Sequence, residues 1–232
     1  MSVFFCFTYR LNPINPAITY SPFVSSRQFQ SSELFRVVVG SEETEYHLHK
    51  QTLADRCPYF TGLQSFCGIE TSENKVNLPD IPVRAFKVFV TFIYANVYHV
   101  PTNLDRDVAF ALHAEVYVLA DRMCMTELRT LAFDRVKEEA GKGGLGFDAM
   151  AKVVEHVYDN TPDRDSDDAG VVTESDSGST QAMRMIMVEL CCFNLGAMMS
   201  RKHLPRLVRD YGDLAVDMLR RLKDLEGWVI SS

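Results

Sequence analysis

His47 and His49 stand one residue apart. On an extended strand that spacing puts both imidazoles on one face, as a pair of metal ligands would require. Two ligands do not close a zinc site, and no Cys/His pair at zinc spacing lies nearby. The sequence therefore assigns no metal. A second pattern is acidic. Asp163, Asp165, Asp167 and Glu174 fall at positions 1, 3, 5 and 12 of a calcium-loop template. Asp168 occupies the sixth position, where the sharp turn needs Gly, and Gly170 occupies the usually apolar eighth. An ordinary acidic loop fits better, and a calcium- or metal-responsive regulator is the alternative function. Gly141-Lys142-Gly143-Gly144-Leu145-Gly146 is glycine-rich, but it follows a helical stretch and lacks the Gly-Lys-Ser/Thr ending of a phosphate cradle. It reads as a hinge. There is no Gly-x-Ser-x-Gly nucleophile elbow. Cys191-Cys192 lies in a Met- and Leu-rich stretch, so at least one thiol is expected to be buried and inert. Arg201-Lys202-His203 with Arg206 and Arg209 is read as a solvated helix-end patch, not a nucleic-acid surface. No catalytic constellation emerges. The expectation is a protein without catalysis or cofactor.

Composition agrees. The 232 residues are 47% hydrophobic and 24% charged, which excludes wholesale disorder. Thirty-one acids against 24 bases give a net charge of −7, against a globally basic nucleic-acid-binding design. No window approaches the length of apolar residues that spans a bilayer. Val3–Phe7 is too short for a signal core and has no basic residues before it. The six cysteines form no CxxC pair. An intracellular protein with free thiols, in cytoplasm or nucleus, is expected. Charge is unevenly spread: residues 1–32 carry +2, 33–158 carry −5, 159–180 carry −6 and 181–232 carry +2. The stretch 159–180 has one large apolar pair, Val171-Val172, and is expected to be a disordered loop.

The elements that must position these residues follow from periodicity. Residues 1–32, with Pro13, Pro16 and Pro22, read as a poorly ordered tail. Phe35, Val37 and Val39 alternate as on a strand, Gly40–Glu43 turns, and Glu45–His49 returns as the second arm of a hairpin. Leu53, Cys57 and Phe60 follow at helical spacing across Pro58, which kinks or ends that helix. Lys75–Leu78 is a short strand. From Pro82 the chain turns helical, with Phe86, Phe89, Val90, Ile93 and Val97 in one stripe. Asp105 or Asp107 caps the next helix, lined by Val108, Leu112, Val116 and Leu119. Met125, Leu128, Ala132 and Val136 line another. Asp148 opens a helix with Met150, Val153, Val154 and Val157 inward. Met183, Ile186, Met187 and Leu190 form one later face, and Leu214, Met218, Leu222 and Leu225 the last. Strands first and helices after argue an α+β fold.

The order of motifs over residues 33–140 resembles a BTB (POZ) domain. The matching strings are Ser32-Glu33-Leu34-Phe35-Arg36-Val37-Val38-Val39-Gly40, Tyr46-His47-Leu48-His49-Lys50 and Leu53-Ala54-Asp55-Arg56-Cys57-Pro58-Tyr59-Phe60. Then come Glu70-Thr71, Val76–Asp80, Ala85-Phe86, Phe92-Ile93-Tyr94 and Leu119-Ala120-Asp121-Arg122. Glu33 stands where the family usually has Asp, and Cys57 where Ser is usual. Residues 145–232 resemble the helical C-terminal part of small fungal BTB proteins, through Val153–Pro162 and Tyr211–Leu219. The resemblance implies a small sheet with helical hairpins, then a helical extension. It implies protein–protein interaction: self-association as a homodimer, adaptor work for a cullin-type ubiquitin ligase, or both.

Within that pattern His49, Lys50, Tyr59, Phe60, Tyr94 and Asp121 are fold-motif residues. His49 sits between strand and helix, where its imidazole can cap or fix the turn, or act as a pH switch. Tyr59, Phe60, Phe92 and Tyr94 are expected in the core, with hydroxyls at the rim. The cullin-facing helix of BTB adaptors matches residues 107–121, where Leu112 and Glu115 share a face and are the candidate partner-binding pair. Leu112 equally belongs to the core stripe. On this reading, deleting residues 159–180 shifts the thermal midpoint little, and a loss of several degrees would show that they pack on the body.

Overall fold

The structure is a computed structural model, and it describes residues 33–65, 74–101, 103–161 and 180–229. The tail 1–32, the calcium-loop template and most of the acidic stretch lie outside these residues, as do Glu70 and Thr71. The chain divides into two compact units, Met1–Val83 and Arg84–Ser232. The fold class is the expected α+β arrangement.

The first unit is built on three strands in the order β2-β1-β3. Strand β1 (Leu34–Val39) pairs antiparallel with β2 (Thr44–His49), setting Phe35 opposite Leu48 and Val37 opposite Tyr46. It pairs in parallel with β3 (Lys75–Leu78), setting Val37 opposite Val76 and Val39 opposite Leu78. A parallel neighbour requires a crossover. The helices α1 (Lys50–Arg56) and α2 (Pro58–Ser65) lie in that connection. Pro58 ends one helix and opens the next, as its missing N–H dictates. Leu53, Cys57 and Phe60 are all buried, and the Phe60 ring stands edge-on to Phe35 at 6.0 Å. Val38 is buried as well, so the strand is covered beyond its alternating face. Gly40 turns the hairpin with φ +75°, and a side chain there would run into Val83.

The second unit is helical. Helix α3 (Val83–Ala95) buries Ala85, Phe86, Val88, Phe89, Phe92 and Ile93, a wider apolar arc than the single stripe expected. Val97 lies past its end and is exposed, and Val90 is only half-buried. Helix α4 (Arg106–Arg122) is capped by Asp105, whose carboxylate accepts the Asp107 N–H at 2.9 Å. Leu112, Val116 and Leu119 are buried on it, but Val108, in its exposed first turn, is not. Helix α5 (Thr126–Gly141) packs along α4, where fully buried Ala120 permits close approach. The turn between them has Cys124 at φ +57°. Helix α6 (Phe147–Asn160) is capped at Gly146, not at Asp148, and buries Met150, Val153, Val154 and Val157 as expected. Four more helices follow: α7 (Thr180–Phe193), α8 (Leu195–Ser200), α9 (His203–Asp210) and α10 (Gly212–Val229). Met183, Ile186, Met187 and Leu190 of α7 and Leu214 and Met218 of α10 are buried. Leu222 is half-buried, and the side chain of Leu225 lies outside the described residues.

Two expectations are corrected. Residues 141–146 are not a free hinge. The Arg106 guanidinium donates to the Glu139 carboxylate at 2.8 Å and to the Glu139 carbonyl at 2.7 Å, and it also reaches the Gly143 carbonyl. The Asp107 carboxylate accepts the Gly146 N–H at 2.9 Å, and a Cβ on Gly146 would overlap that carboxylate. The edges of 159–180 are also ordered. Asp159 and Asn160 belong to α6, Thr161 is buried, and Thr180 begins α7.

Two outcomes are expected. Phe86→Ala costs about 3–5 kcal/mol through lost burial and a cavity; in a denaturant titration, a cost below about 1 kcal/mol would place the ring outside the core. Replacing residues 163–179 by a short Gly-Ser linker leaves the thermal midpoint within about two degrees, whereas deleting 159–180 lowers it by several. Equal midpoints for the two deletions would deny that Asp159 and Thr161 are part of the packed body.

Candidate functional site

The motif residues of the first unit tie its strands together. The Lys50 ammonium donates to the Asn74 side-chain carbonyl at 2.9 Å and lies 3.4 Å from the Glu33 carboxylate. The Asn74 amide donates to the same carboxylate. Backbone bonds complete the knot, from the Lys50 N–H to the Glu33 carbonyl at 2.9 Å and from the Arg36 N–H to the Asn74 carbonyl at 2.8 Å. One carboxylate thus fastens the start of β1, the end of β2 and the approach to β3. Glu33 does this work at the position where Asp is usual. His49 occupies the N-cap position of α1, and its side chain makes no capping bond to that helix. Tyr59 is half-buried, its ring edge-on to Phe60 at 5.2 Å. Tyr94, on α3, is also half-buried. Asp121 closes α4 by accepting a bond from Arg129 of α5 at 2.7 Å.

The candidate partner pair lies on α4, in the second unit. Leu112 is 4% exposed. Glu115 accepts a forked pair of bonds from the Arg84 guanidinium, the Nε bond at 2.6 Å. Such bidentate pairs are among the strongest charge-assisted contacts. Beside it lies His156 of α6, which burial holds below the usual imidazole range against the opposing Glu115 and Asp159 carboxylates. Next to Leu112, His113 is buried, and its Nδ1 is hydrogen-bonded to the Tyr98 hydroxyl, 2.7 Å away. Burial, with Arg135 adding to it, pushes the His113 imidazole down to about 4. Burial also raises the Tyr98 phenol well above its usual range, so Tyr98 keeps its proton beside a neutral ring. Nothing in the sequence marks Tyr98, His113 or His156, because their neighbours lie outside any helical period.

The remaining candidates are also used internally. The Arg201 guanidinium sits 4.8 Å from the Phe147 ring centroid, His203 Nε2 lies 3.1 Å from the Asp148 carboxylate, Arg206 pairs with Glu155, and Arg209 pairs with Asp210 at 3.0 Å. Cys191 is fully buried and its thiol is pushed up to about 12 by that burial; the half-buried Cys192 is raised for the same reason. Neither is a reactive thiolate. Among the described residues no group of three or more His, Cys, Asp or Glu could hold a metal ion, and no helix is long and apolar enough to cross a membrane.

A small mixed sheet followed by helices is an α+β arrangement. Residues 26–138 match the BTB/POZ domain family, so the chain carries a BTB/POZ domain with a helical C-terminal extension. Among solved structures it is similar to the BTB (Tramtrack and Bric a brac) domain of human gigaxonin, at 19% identity over 50% of this chain and 97% of that one, with a TM-score of 0.34. No curated protein matches the chain.

The neutral His113 predicts a pH dependence. Its folded value of about 4 lies below the ordinary 6.5, so the unfolded chain takes up the proton first as pH falls. Stability is therefore full above about pH 6.5 and declines toward pH 4, by at most about 3 kcal/mol for this group. Denaturant titrations across that range should show a steeper decline for the natural chain than for His113→Gln. Parallel curves would contradict the assignment.

Proposed function

We propose that this chain is a protein–protein interaction module that self-associates, built from a BTB domain over residues 33–140 and a helical extension over residues 145–232, and acting without catalysis. The observation that carries the reading is the match of residues 26–138 to the BTB/POZ family. It is supported by the disposition of several polar residues of the second unit: buried Arg184, His113 and Asp217 are each engaged by a neighbouring side chain or main chain. Large apolar side chains meanwhile stand in solvent, Phe193 at 77% and Leu219 at 67% exposure. Exposed apolar side chains of that size are what a docking surface needs.

The narrower form of the proposal is an adaptor for a cullin through α4. It requires Leu112 to leave its buried place and Glu115 to exchange Arg84 for the partner, so self-association is the better-supported form. Sedimentation of the full chain at micromolar concentration, with and without a cullin N-terminal fragment, tests both. The expected result is a species heavier than the monomer in the absence of the cullin. A strict monomer that ignores the cullin would overturn both forms.

A further inference from the structure

Helix α6 meets α4 beside a group of charges in which one polar atom is left without a bond. Both oxygens of the Glu115 carboxylate on α4 accept bonds from the Arg84 guanidinium of α3, from Nε at 2.6 Å and from Nη2. His156 of α6 feels both of these groups. Its Nε2 is shut off from solvent and has no hydrogen-bond partner. A buried polar atom left unpaired is rare in a folded interior and asks for an explanation. The other charges on and around α6 are already engaged. Asp159, the second carboxylate that acts on the ring, accepts the Tyr211 hydroxyl at 2.8 Å. Glu155 pairs with Arg206 of α9, and Asp148 lies 3.1 Å from His203 Nε2 of the same helix. Arg184 of α7, which also packs on α6, is bonded to Thr161 and Asp213.

At neutral pH the ring is uncharged. Burial outweighs the pull of Glu115 and Asp159, and Arg84 adds to the effect of burial. A proton changes the requirement, because an imidazolium carries an N–H at both nitrogens and Nε2 then needs an acceptor. Of the two carboxylates that act on the ring, one is forked onto Arg84 and the other is bonded to Tyr211. The new charge is met only if Glu115 leaves Arg84 or if the ring reaches water. We propose that His156 is an acid-sensitive latch between α4 and the helical extension, and that protonation of its ring releases α6 from α4. Release uncovers the side of α4 that carries Glu115. Opening hydrates the ring and returns it to its ordinary value of 6.5, so the open form binds the proton more readily than the closed form and gains on it as pH falls. The gain begins near pH 6.5 and has a ceiling of about thirtyfold at pH 5. His113 is a separate group, bonded to Tyr98.

Two measurements on the full chain test the latch. The first follows the His156 ring by NMR from pH 8 to pH 4.5. The second compares hydrogen exchange of α6 amides at pH 7 and pH 5, corrected for the intrinsic pH dependence of exchange, in the natural chain, His156→Gln and His113→Gln. The expected result is a His156 ring that titrates below 6.5 and α6 protection that falls several-fold in acid, up to the ceiling of about thirtyfold. The acid-dependent fall disappears in His156→Gln and persists in His113→Gln. A ring that titrates at or above 6.5, or an equal fall of α6 protection in His156→Gln, would overturn the proposal. Should His156→Gln fail to fold, the natural chain still decides: α6 protection that does not change between pH 7 and pH 5 overturns the latch. The oligomeric state does not enter either readout, so the self-association reading stands or falls separately.

Discussion

A guanidinium removed from water must be met on every side, and the helical extension is arranged around one. Arg184 of α7 is 2% exposed. Its Nε donates to the Thr161 hydroxyl oxygen at 2.8 Å, its Nη2 to the Thr161 carbonyl at 2.9 Å and its Nη1 to the Asp213 carboxylate at 2.7 Å. Its planar face lies 4.5 Å from the centroid of the Tyr158 ring. Tyr158 in turn donates to the buried Asp217 at 3.3 Å, and burial first, then that carboxylate, keeps its phenol protonated. An uncompensated charge at this depth would cost several kcal/mol. The end of α6, the body of α7 and the start of α10 are therefore fixed with respect to one another. Thr161 lies near the start of the 159–180 stretch and Arg184 just beyond its end, so one side chain joins the two flanks.

Much of the fold was legible because local chemistry and tertiary structure agree. The alternation of Phe35, Val37 and Val39, the turn at Gly40 and the helix break at Pro58 are decided by neighbours in sequence, and each appears where expected. The inward faces of α6 and α7 follow the same logic. Legibility failed where partners are distant. Arg184 sits in an apolar stretch, and its partners lie 23 and 29 residues away. No helical period announces it. Composition assigned Asp159 and Thr161 to a loop, but Asp159 accepts the Tyr211 hydroxyl at 2.8 Å and Thr161 receives Arg184. Val97 and Val108 fit the apolar spacing and are exposed, because a helix end and a first turn need not face the core.

The site was legible in outline only. The BTB motifs located the strand-fastening group, yet why Lys50 matters needed Glu33 and Asn74 in place beside it. The pair proposed for a partner, Leu112 and Glu115, shares a face as spacing requires, but one is buried and the other is held by Arg84. The most exposed large apolar side chains among the described residues, Phe193 and Leu219, lie instead on the extension.

The measurement closest to the centre of this account is the stability of Arg184→Ala in a denaturant titration. Removing the guanidinium takes the ion-pair partner from Asp213, the donor from the buried Thr161 carbonyl and the cation from the face of Tyr158, so the account predicts a loss of about 3–5 kcal/mol. A loss below about 1 kcal/mol would mean that the extension is held by its apolar faces alone, and would contradict the role given to Arg184.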